Sequence, residues 1–220
     1  MIGRFADRRE AGRKLAEALK SLELNAPVVL ALPRGGVPVG YEVAKALQAP
    51  LDVLIVRKIG APGQQELGIG ALVDGNPPQL VMDSSLAQLV GASPAYIEQQ
   101  EARQQVEIER RRELYKSAPH VPLAGRTVIL VDDGIATGGT VRAALQALRQ
   151  ARAGSIVLAI PVAPPETLMQ LRSLCDRIVC LATPDPFYAV GAHYSDFSQT
   201  EDTDVVQFLA AARSAANGPS

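Results

Sequence analysis

The stretch of residues 128–140, Val-Ile-Leu-Val-Asp-Asp-Gly-Ile-Ala-Thr-Gly-Gly-Thr, constrains the fold more than any other part of this chain. Its four leading apolar residues predict a buried strand, and two carboxylates, Asp132 and Asp133, follow at once. A loop of small residues comes next, and helical periodicity begins near Thr140. Because ligands of open α/β sheets bind beyond the carboxyl ends of the strands, the sequence predicts a binding site here.

The chemistry of this loop suits a sugar phosphate. Backbone N–H groups at a helix N-terminus bind phosphate, and Gly138 and Gly139 permit close approach and positive φ. Thr137 and Thr140 add hydroxyl donors, whereas the adjacent carboxylates repel phosphate and suit the two hydroxyls of a ribose. The stretch has neither the Gly-Lys-Ser/Thr of a Walker loop nor a Gly-x-Gly-x-x-Gly turn. The alternative, a turn without a ligand, would leave two neighbouring carboxylates unpaired at the edge of a sheet.

Apolar runs and helical patterns alternate along the chain from Val28 onward, which predicts a doubly wound, mainly parallel five-stranded α/β sheet of Rossmann-like type. We expect a single domain over residues 1–220, with a hairpin formed by residues 69–73 and 79–82. The five sheet strands are expected at residues 28–32, 51–56, 127–131, 155–161 and 177–181.

A helical insertion is predicted over residues 84–118. A charged helix at residues 93–116 begins with a Ser cap and Pro94, and carries a narrow apolar stripe of Ile97, Val106, Ile108 and Leu114. Its three consecutive arginines, at 110–112, allow a nucleic-acid interpretation, but glutamates interleave with them. A solvated helix face with ion pairs is therefore favoured.

The charge balance excludes recruitment of nucleic acid or membrane by a global field, since 22 basic residues oppose 23 acidic ones. An anionic substrate must be held by local groups instead. No apolar run reaches membrane-spanning length, and residues 1–10 contain no signal-peptide core. We therefore expect a cytoplasmic protein with neither a nucleic-acid nor a membrane partner.

Residues 128–140 resemble the 5-phosphoribosyl-1-pyrophosphate (PRPP) signature of type I phosphoribosyltransferases, and the resemblance implies that fold. It also implies that the acidic pair binds the ribose hydroxyls and that the loop binds the 5-phosphate. The PRPP-binding residues implied in this stretch are Asp132, Asp133, Gly134, Ile135, Ala136, Thr137, Gly138, Gly139 and Thr140.

Residues 32–36, Leu-Pro-Arg-Gly-Gly, occupy the position of the pyrophosphate loop in the resembled family, where a cis peptide is frequent. Gly35 and Gly36 would turn backbone amides toward a diphosphate. Arg34 would stabilise the charge that develops on departing pyrophosphate. The alternative is an ordinary strand-to-helix turn.

The pair Arg57 and Lys58, followed by a Gly/Pro-rich loop over residues 59–68, is similar to adenine-type phosphoribosyltransferases. In those enzymes the loop is mobile and closes over the reactants, which excludes water. Glu66 is the one carboxylate of this loop. It is a candidate contact to the base, and the alternative is a solvated loop charge.

The remaining sequence features concern the base that would accept the ribose. In hypoxanthine/guanine enzymes an Asp precedes the signature Thr, whereas this chain has Ala136, which disfavours a 6-oxopurine reaction. Residues 183–204 are a candidate hood over the base. Tyr188 and Phe197 are its candidate stacking residues, and the alternative is local hydrophobic packing. Residues 5–15 and 190–199 resemble a group of predicted phosphoribosyltransferases without a settled substrate.

The function that the resemblance implies is Mg²⁺-dependent transfer of phosphoribosyl from PRPP to a nitrogenous base, as in nucleotide salvage, with release of pyrophosphate. Most Mg²⁺ ligands would come from PRPP itself, with Asp132 and Asp133 as candidate protein ligands. The alternatives are a non-catalytic PRPP-sensing regulator and a nucleotide phosphorylase or hydrolase on the same fold. A homodimer is expected, because the resembled family is commonly dimeric.

Overall fold

The computed structural model describes residues 3–116 and 121–216. Its helices are α1 (Arg8–Leu19), α2 (Gly36–Leu47), α3 (Ser84–Leu89), α4 (Pro94–Leu114), α5 (Gly139–Gln150), α6 (Pro165–Leu171) and α7 (Asp202–Ala216). Its strands are β1 (Val28–Ala31), β2 (Leu51–Val53), β3 (Val56–Ala61), β4 (Gln64–Val73), β5 (Gln79–Met82), β6 (Thr127–Val131), β7 (Ser155–Val162) and β8 (Arg177–Ala182). Two short 3₁₀ helices lie at Arg172–Leu174 and Val190–His193.

Five strands form the main sheet in the order β2-β1-β6-β7-β8, and every pair in it is parallel, as the sequence predicted. Successive residues of β1 and β6 face opposite layers, and both layers are apolar. Helices α1, α2 and α7 contribute to one layer, and α5 and α6 to the other. This burial on both faces explains why these strands read as continuous hydrophobic runs rather than as alternating patterns.

The prediction of a single strand over residues 51–56 followed by a loop is wrong. Strand β2 ends at Val53, and β3 starts at Val56 in a second, three-stranded antiparallel sheet of order β3-β4-β5. The glycines permit pairing here instead of breaking it. A Cβ at Gly60 would lie 2.4 Å from the carbonyl oxygen of Gln65, and Gly63 turns the chain at φ 71°. The predicted hairpin is confirmed as β4 and β5.

Helix α4 starts as the sequence predicted, because the Ser93 hydroxyl accepts the Tyr96 N–H at 3.2 Å and Pro94 follows the cap. Its predicted apolar stripe is wrong in part, since Ile108 is buried but Val106 is 66 % exposed. The buried face also contains Gln100 and, just beyond the helix, Tyr115, which a search for apolar residues overlooks. Residues 117 and 118 of the predicted insertion lie outside the described residues.

The three arginines of α4 have different surroundings. Arg110 and Arg111 both form ion pairs with Glu107, at 2.8 and 2.9 Å, which confirms the ion-paired helix face. Arg112 points inward and pairs with Asp74 at 2.6 Å and Asp52 at 3.5 Å. Arg112 therefore links α4 to β2, which contains Asp52, and to Asp74, the residue after β4. Among the described residues, no helix is long and apolar enough to cross a membrane.

Candidate active site

Two loops meet at the carboxyl edge of the main sheet, one after β1 and one after β6. The Leu32 N–H donates to the Val131 carbonyl at 2.9 Å, so the strands remain paired up to the point where they end. A Cβ at Gly36 would lie 2.8 Å from that carbonyl oxygen, and one at Gly35 would lie 2.1 Å from Oδ2 of Asp133. The candidate pyrophosphate loop thus lies against the acidic pair, and only glycine fits at the contact.

Arg34 projects from this loop toward the start of α7. The Pro33–Arg34 peptide is cis. The Arg34 guanidinium lies 3.8 Å from the Glu201 carboxylate and 4.0 Å from that of Asp202. These are long, solvent-accessible pairs that contribute little energy, so Arg34 can exchange them for a stronger anion. No feature of the sequence indicated that these two acids lie next to Arg34.

In the loop after β6, hydrogen bonds anchor residues 135 and 136, and residues 137–140 lead into the start of α5. The Ile135 side chain is buried and its N–H donates to the Val162 carbonyl at 2.9 Å. The Thr167 hydroxyl donates to the Ala136 carbonyl at 2.8 Å. Gly138 has φ 76° and caps α5, whose first-turn N–H groups have no acceptor within the helix. The Ile135 amide is therefore not available to a phosphate. The candidate phosphate cradle is the part of the loop next to the start of α5, residues 137–140.

The two carboxylates of the acidic pair have different hydrogen-bond partners. Nε of Arg8, in the first turn of α1, donates to Oδ2 of Asp133 at 2.7 Å, whereas Oδ1 of Asp132 accepts the backbone N–H of Asp133 at 2.9 Å. Burial raises the pKa of Asp132, and the charge of Asp133 raises it further. Burial also raises the pKa of Asp133, and the hydrogen bond from Arg8 opposes that rise. Sequence reasoning missed Arg8 entirely.

A cavity of about 1050 Å³ lies between the antiparallel sheet and the start of α5. Lys58 and Glu66 line one wall, and Thr137, Thr140 and Arg142 line the other. Lys58 Nζ donates to the Glu66 carboxylate at 3.2 Å, and the Glu66 side chain is 98 % exposed. The acidic pair is not part of the lining. The cavity therefore opens on the phosphate side of the loop, and the contact with Gly35 lies on the other side.

A smaller cavity of about 100 Å³ connects the two candidate loops. Leu32 and Pro33 line it from the pyrophosphate side, and Thr140 lines it from the phosphate side. Two arginines also line it, Arg57 from β3 and Arg111 from α4. The structure thus places Arg57 beside both loops and adds Arg111, which the sequence reading assigned only to a solvated helix face.

The candidate hood, residues 183–204, touches the loop after β6. A Cβ at Gly134 would lie 2.5 Å from Cγ1 of Val190. Phe197 stacks on Tyr194 at a centroid distance of 5.0 Å and has the Arg8 guanidinium 3.8 Å above its ring. Tyr188 is 84 % exposed. Local packing therefore accounts for Phe197 in this structure, while Tyr188 is accessible.

The comparisons with known proteins cover most of the chain. It is 47 % identical over 206 residues to "Putative phosphoribosyl transferase Rv0571c" of Mycobacterium tuberculosis, an alignment that takes in 93 % of this chain. That alignment includes only 46 % of the relative, so the chain spans less than half of its length. The crystal structure of TT1426 from Thermus thermophilus matches with a TM-score of 0.83 at 45 % identity, over 94 % of this chain and 97 % of that one.

The family profile of the phosphoribosyl transferase domain matches residues 6–196. That range begins just before Arg8 and ends within the candidate hood, and it contains both loops that meet at the sheet edge. Together with the fold and the identity to its relatives, this match shows that the chain belongs to the phosphoribosyl transferase domain family.

Proposed function

We propose that the chain catalyses Mg²⁺-dependent transfer of phosphoribosyl from PRPP to a nitrogenous base, with release of pyrophosphate. The observation that carries the proposal is the contact of Gly35 and Gly36 with the acidic pair, one loop away from the glycine-rich start of α5. PRPP has three polar parts, a 5-phosphate, a ribose diol and a diphosphate. The sheet edge offers one group of matching chemistry for each part.

The ribose phosphate half of PRPP would bind to the loop after β6. The 5-phosphate would accept hydrogen bonds from the amides and hydroxyls of residues 137–140, at the positive end of α5. The carboxylates of Asp132 and Asp133 would accept hydrogen bonds from the ribose hydroxyls. Ile135, whose amide donates to Val162, would act through the shape of the loop rather than through direct contact with phosphate. The Thr167 hydroxyl would hold Ala136 in place through its carbonyl.

The diphosphate half would bind to the loop after β1. During transfer the bond from ribose C1 to the diphosphate oxygen breaks as the base nitrogen bonds to C1, so negative charge grows on the leaving group. The Gly36 N–H already donates to the Leu32 carbonyl at 3.0 Å, so the expectation that it faces the diphosphate is wrong in this structure. The Gly35 amide and the guanidinium groups of Arg34 and Arg57 would stabilise that charge. Nε of Arg57 donates to Gln104 at 3.1 Å, so this guanidinium is held in place before the reaction. Such preorganised donors stabilise a transition state electrostatically.

The donor set suits Mg²⁺ that arrives with PRPP. The described residues contain no group of three or more His, Cys, Asp or Glu side chains that would hold a metal ion alone. Mg²⁺ is commonly held by one or two carboxylates together with substrate phosphates, and Asp132 and Asp133 provide that number. When bound, the ion would neutralise charge on the diphosphate oxygens.

The base would lie between the hairpin of β3 and β4 and the hood. Lys58 and Glu66 already pair across that hairpin, which would carry both side chains toward the reactants on closing. Glu66 would contact the base, and the accessible ring of Tyr188 would cover it from the hood. Phe197, already packed between Tyr194 and Arg8, would support the hood from behind. Ala136 stands where a 6-oxopurine enzyme has its Asp, so an acceptor outside that class is favoured.

A pyrophosphate-release assay tests the proposal. The protein is incubated with PRPP, Mg²⁺ and each member of a panel of bases, and turnover with at least one base is expected. The variant Asp132→Ala/Asp133→Ala is expected to lose PRPP affinity, and unchanged affinity would overturn the ribose-diol assignment. PRPP binding without turnover would indicate the sensor alternative, and phosphate-dependent cleavage of nucleotides would indicate the phosphorylase.

Sedimentation of the same sample tests the proposed homodimer.

A further inference from the structure

Two segments that the PRPP signature does not explain meet in the structure. Residues 5–15 and 190–199 are far apart in the chain, yet their backbones pair. The Phe5 N–H donates to the His193 carbonyl at 2.8 Å, and the Ser195 N–H donates to the Phe5 carbonyl at 2.7 Å. This pairing brings the start of α1 onto the candidate hood.

Arg8 is the side chain that connects this junction to the acidic pair. Its Nε donates to Oδ2 of Asp133 at 2.7 Å, and its Nη1 donates to the Ser198 carbonyl, also at 2.7 Å. Its guanidinium carbon lies 3.8 Å above the centroid of Phe197. One planar cation thus contacts a carboxylate of the candidate ribose site, the hood backbone and a hood ring. Lysine has no planar fork with which to make the same set of contacts.

Two neighbours besides Arg8 restrain Asp133. Gly35 lies directly against Oδ2 on the side of the pyrophosphate loop. The Tyr194 hydroxyl donates to the Asp133 carbonyl at 2.5 Å, which holds the backbone of the same residue. The Arg8 and Asp133 side chains are only 12 % and 14 % exposed, so water competes weakly for their hydrogen bond.

We propose that Arg8 is a positioning residue, which holds the Asp133 carboxylate in the orientation that receives the ribose hydroxyls and couples that carboxylate to the hood. This inference rests on the proposed function, since it assumes that Asp133 contacts PRPP. It gives the segment at residues 5–15 a role in substrate binding, although Arg8 itself lies behind the carboxylate. Loss of Arg8 would let Asp133 rotate and would loosen residues 195–198 at the same time.

The test is a double-mutant cycle on PRPP affinity, measured by calorimetric titration of the full chain in the presence of Mg²⁺. Arg8→Gln and Asp133→Asn are each expected to weaken binding by about tenfold or more. The double variant is expected to bind no worse than Asp133→Asn alone, because Arg8 acts through that carboxylate. Losses that multiply in the double variant would overturn the inference.

A neighbouring arginine provides the matched control. Arg9 lies in the same turn of α1, but its Nε donates to Glu42 at 2.6 Å, on α2. Arg9→Gln also removes a charge and an Nε–carboxylate ion pair, in which the Arg9 side chain is 50 % exposed, and it is expected to leave PRPP affinity unchanged. Equal losses from Arg9→Gln and Arg8→Gln would reduce Arg8 to a general stabiliser of α1 and overturn the positioning role.

Two further measurements distinguish failure of the Arg8 inference from failure of the proposed function. Arg8→Lys keeps the charge and is expected to recover part of the affinity lost in Arg8→Gln, which also serves if the glutamine variant does not fold. Full affinity of either folded variant would overturn the inference while leaving the proposed function intact. Failure of the unmodified protein to bind PRPP would instead overturn the proposed function, and the inference with it.

Discussion

Replacement of Gly35 by alanine should disturb the candidate ribose site more than the small size of the added methyl group suggests. The new Cβ would lie 2.1 Å from Oδ2 and 2.7 Å from Cγ of Asp133, and real Cβ contacts essentially never fall below 3.0 Å. The carboxylate must therefore retreat by about 1 Å to restore an ordinary contact. Because the same Oδ2 accepts from Arg8 at 2.7 Å, we expect this hydrogen bond to lengthen beyond its favourable range or break.

The loss in free energy of unfolding comes from the weakened hydrogen bond rather than from the collision itself. The Asp133 side chain can rotate away from the new methyl group. A hydrogen bond to a charged group contributes about 1.5–3 kcal/mol, and both partners are largely buried. A loss of about 2 kcal/mol lowers the Tm of a domain of this size by roughly 4–8 °C. The displaced carboxylate should also weaken PRPP binding by about tenfold to a hundredfold.

Thermal unfolding followed by calorimetry, together with PRPP titration in Mg²⁺, measures both effects. Gly139→Ala is the control for stability, because a Cβ there would meet nothing within 4 Å. Its Tm should stay within about 2 °C of the unmodified protein, since a first-turn helix position gains little from alanine. A Gly35→Ala protein with unchanged Tm and unchanged PRPP affinity would refute the placement of Asp133 between Gly35 and Arg8.

Three other perturbations have defined outcomes. Asp132→Asn removes a buried carboxylate beside a second one, so Tm should rise by a few degrees while PRPP binding weakens, and a lower Tm would contradict this. Arg112→Ala removes the guanidinium that pairs with buried Asp52 and Asp74, so urea unfolding should show a loss of about 3–5 kcal/mol, and an unchanged midpoint would refute it. Hydrogen bonds from two arginines lower the pKa of Glu107 to about 2, so its stabilisation is present above the unfolded value near 4.5 and is lost as pH falls toward 2. Glu107→Gln should therefore cost up to about 1 kcal/mol at pH 7 and less in acid, and a constant difference down to pH 3 would contradict this.

The parallel sheet was predictable because its signals are local. Each strand buries both faces, so Val28 and Val128 belong to runs in which every residue is apolar and no polar residue confuses the pattern. The turn after β6 was predictable for the same reason, since Gly138 at positive φ and the start of α5 lie next to one another in the chain. Boundaries differ by a residue or two, as at Gly139.

The antiparallel sheet was not predictable by the same reasoning. Gly60, Gly63 and Gly68 suggested a loop, because glycine weakens an isolated strand. In the structure β3 and β4 pair with irregular register at Gly60, and the missing side chain lets the Gln65 backbone approach. Glycine in a strand can mark such a close approach, but sequence alone does not show which partner approaches.

No local feature of the sequence indicated that Arg8 lies at the candidate site. It is separated from Asp133 by 125 positions, and in the sequence it is one of several charged residues on an amphipathic helix. Its neighbour Arg9 looks the same and has a different role, since it faces Glu42. Only the topology, which places the start of α1 over the end of β6, separates the two. The resemblance of residues 5–15 and 190–199 to one group of proteins indicated that both segments matter, without indicating that they touch.

The placement of Arg8 also changes the reason for expecting a ligand at the acidic pair. From the sequence, Asp132 and Asp133 are two neighbouring carboxylates without partners, a costly arrangement for a fold that binds nothing. In the structure Asp133 is compensated by Arg8, so its presence alone no longer requires a ligand. Asp132 accepts only a backbone N–H among the hydrogen bonds of the described residues, and burial and its neighbour both oppose its charge. The case for a bound diol or cation therefore rests mainly on Asp132, and Asp132→Asn is the substitution in which stability and PRPP binding should change in opposite directions.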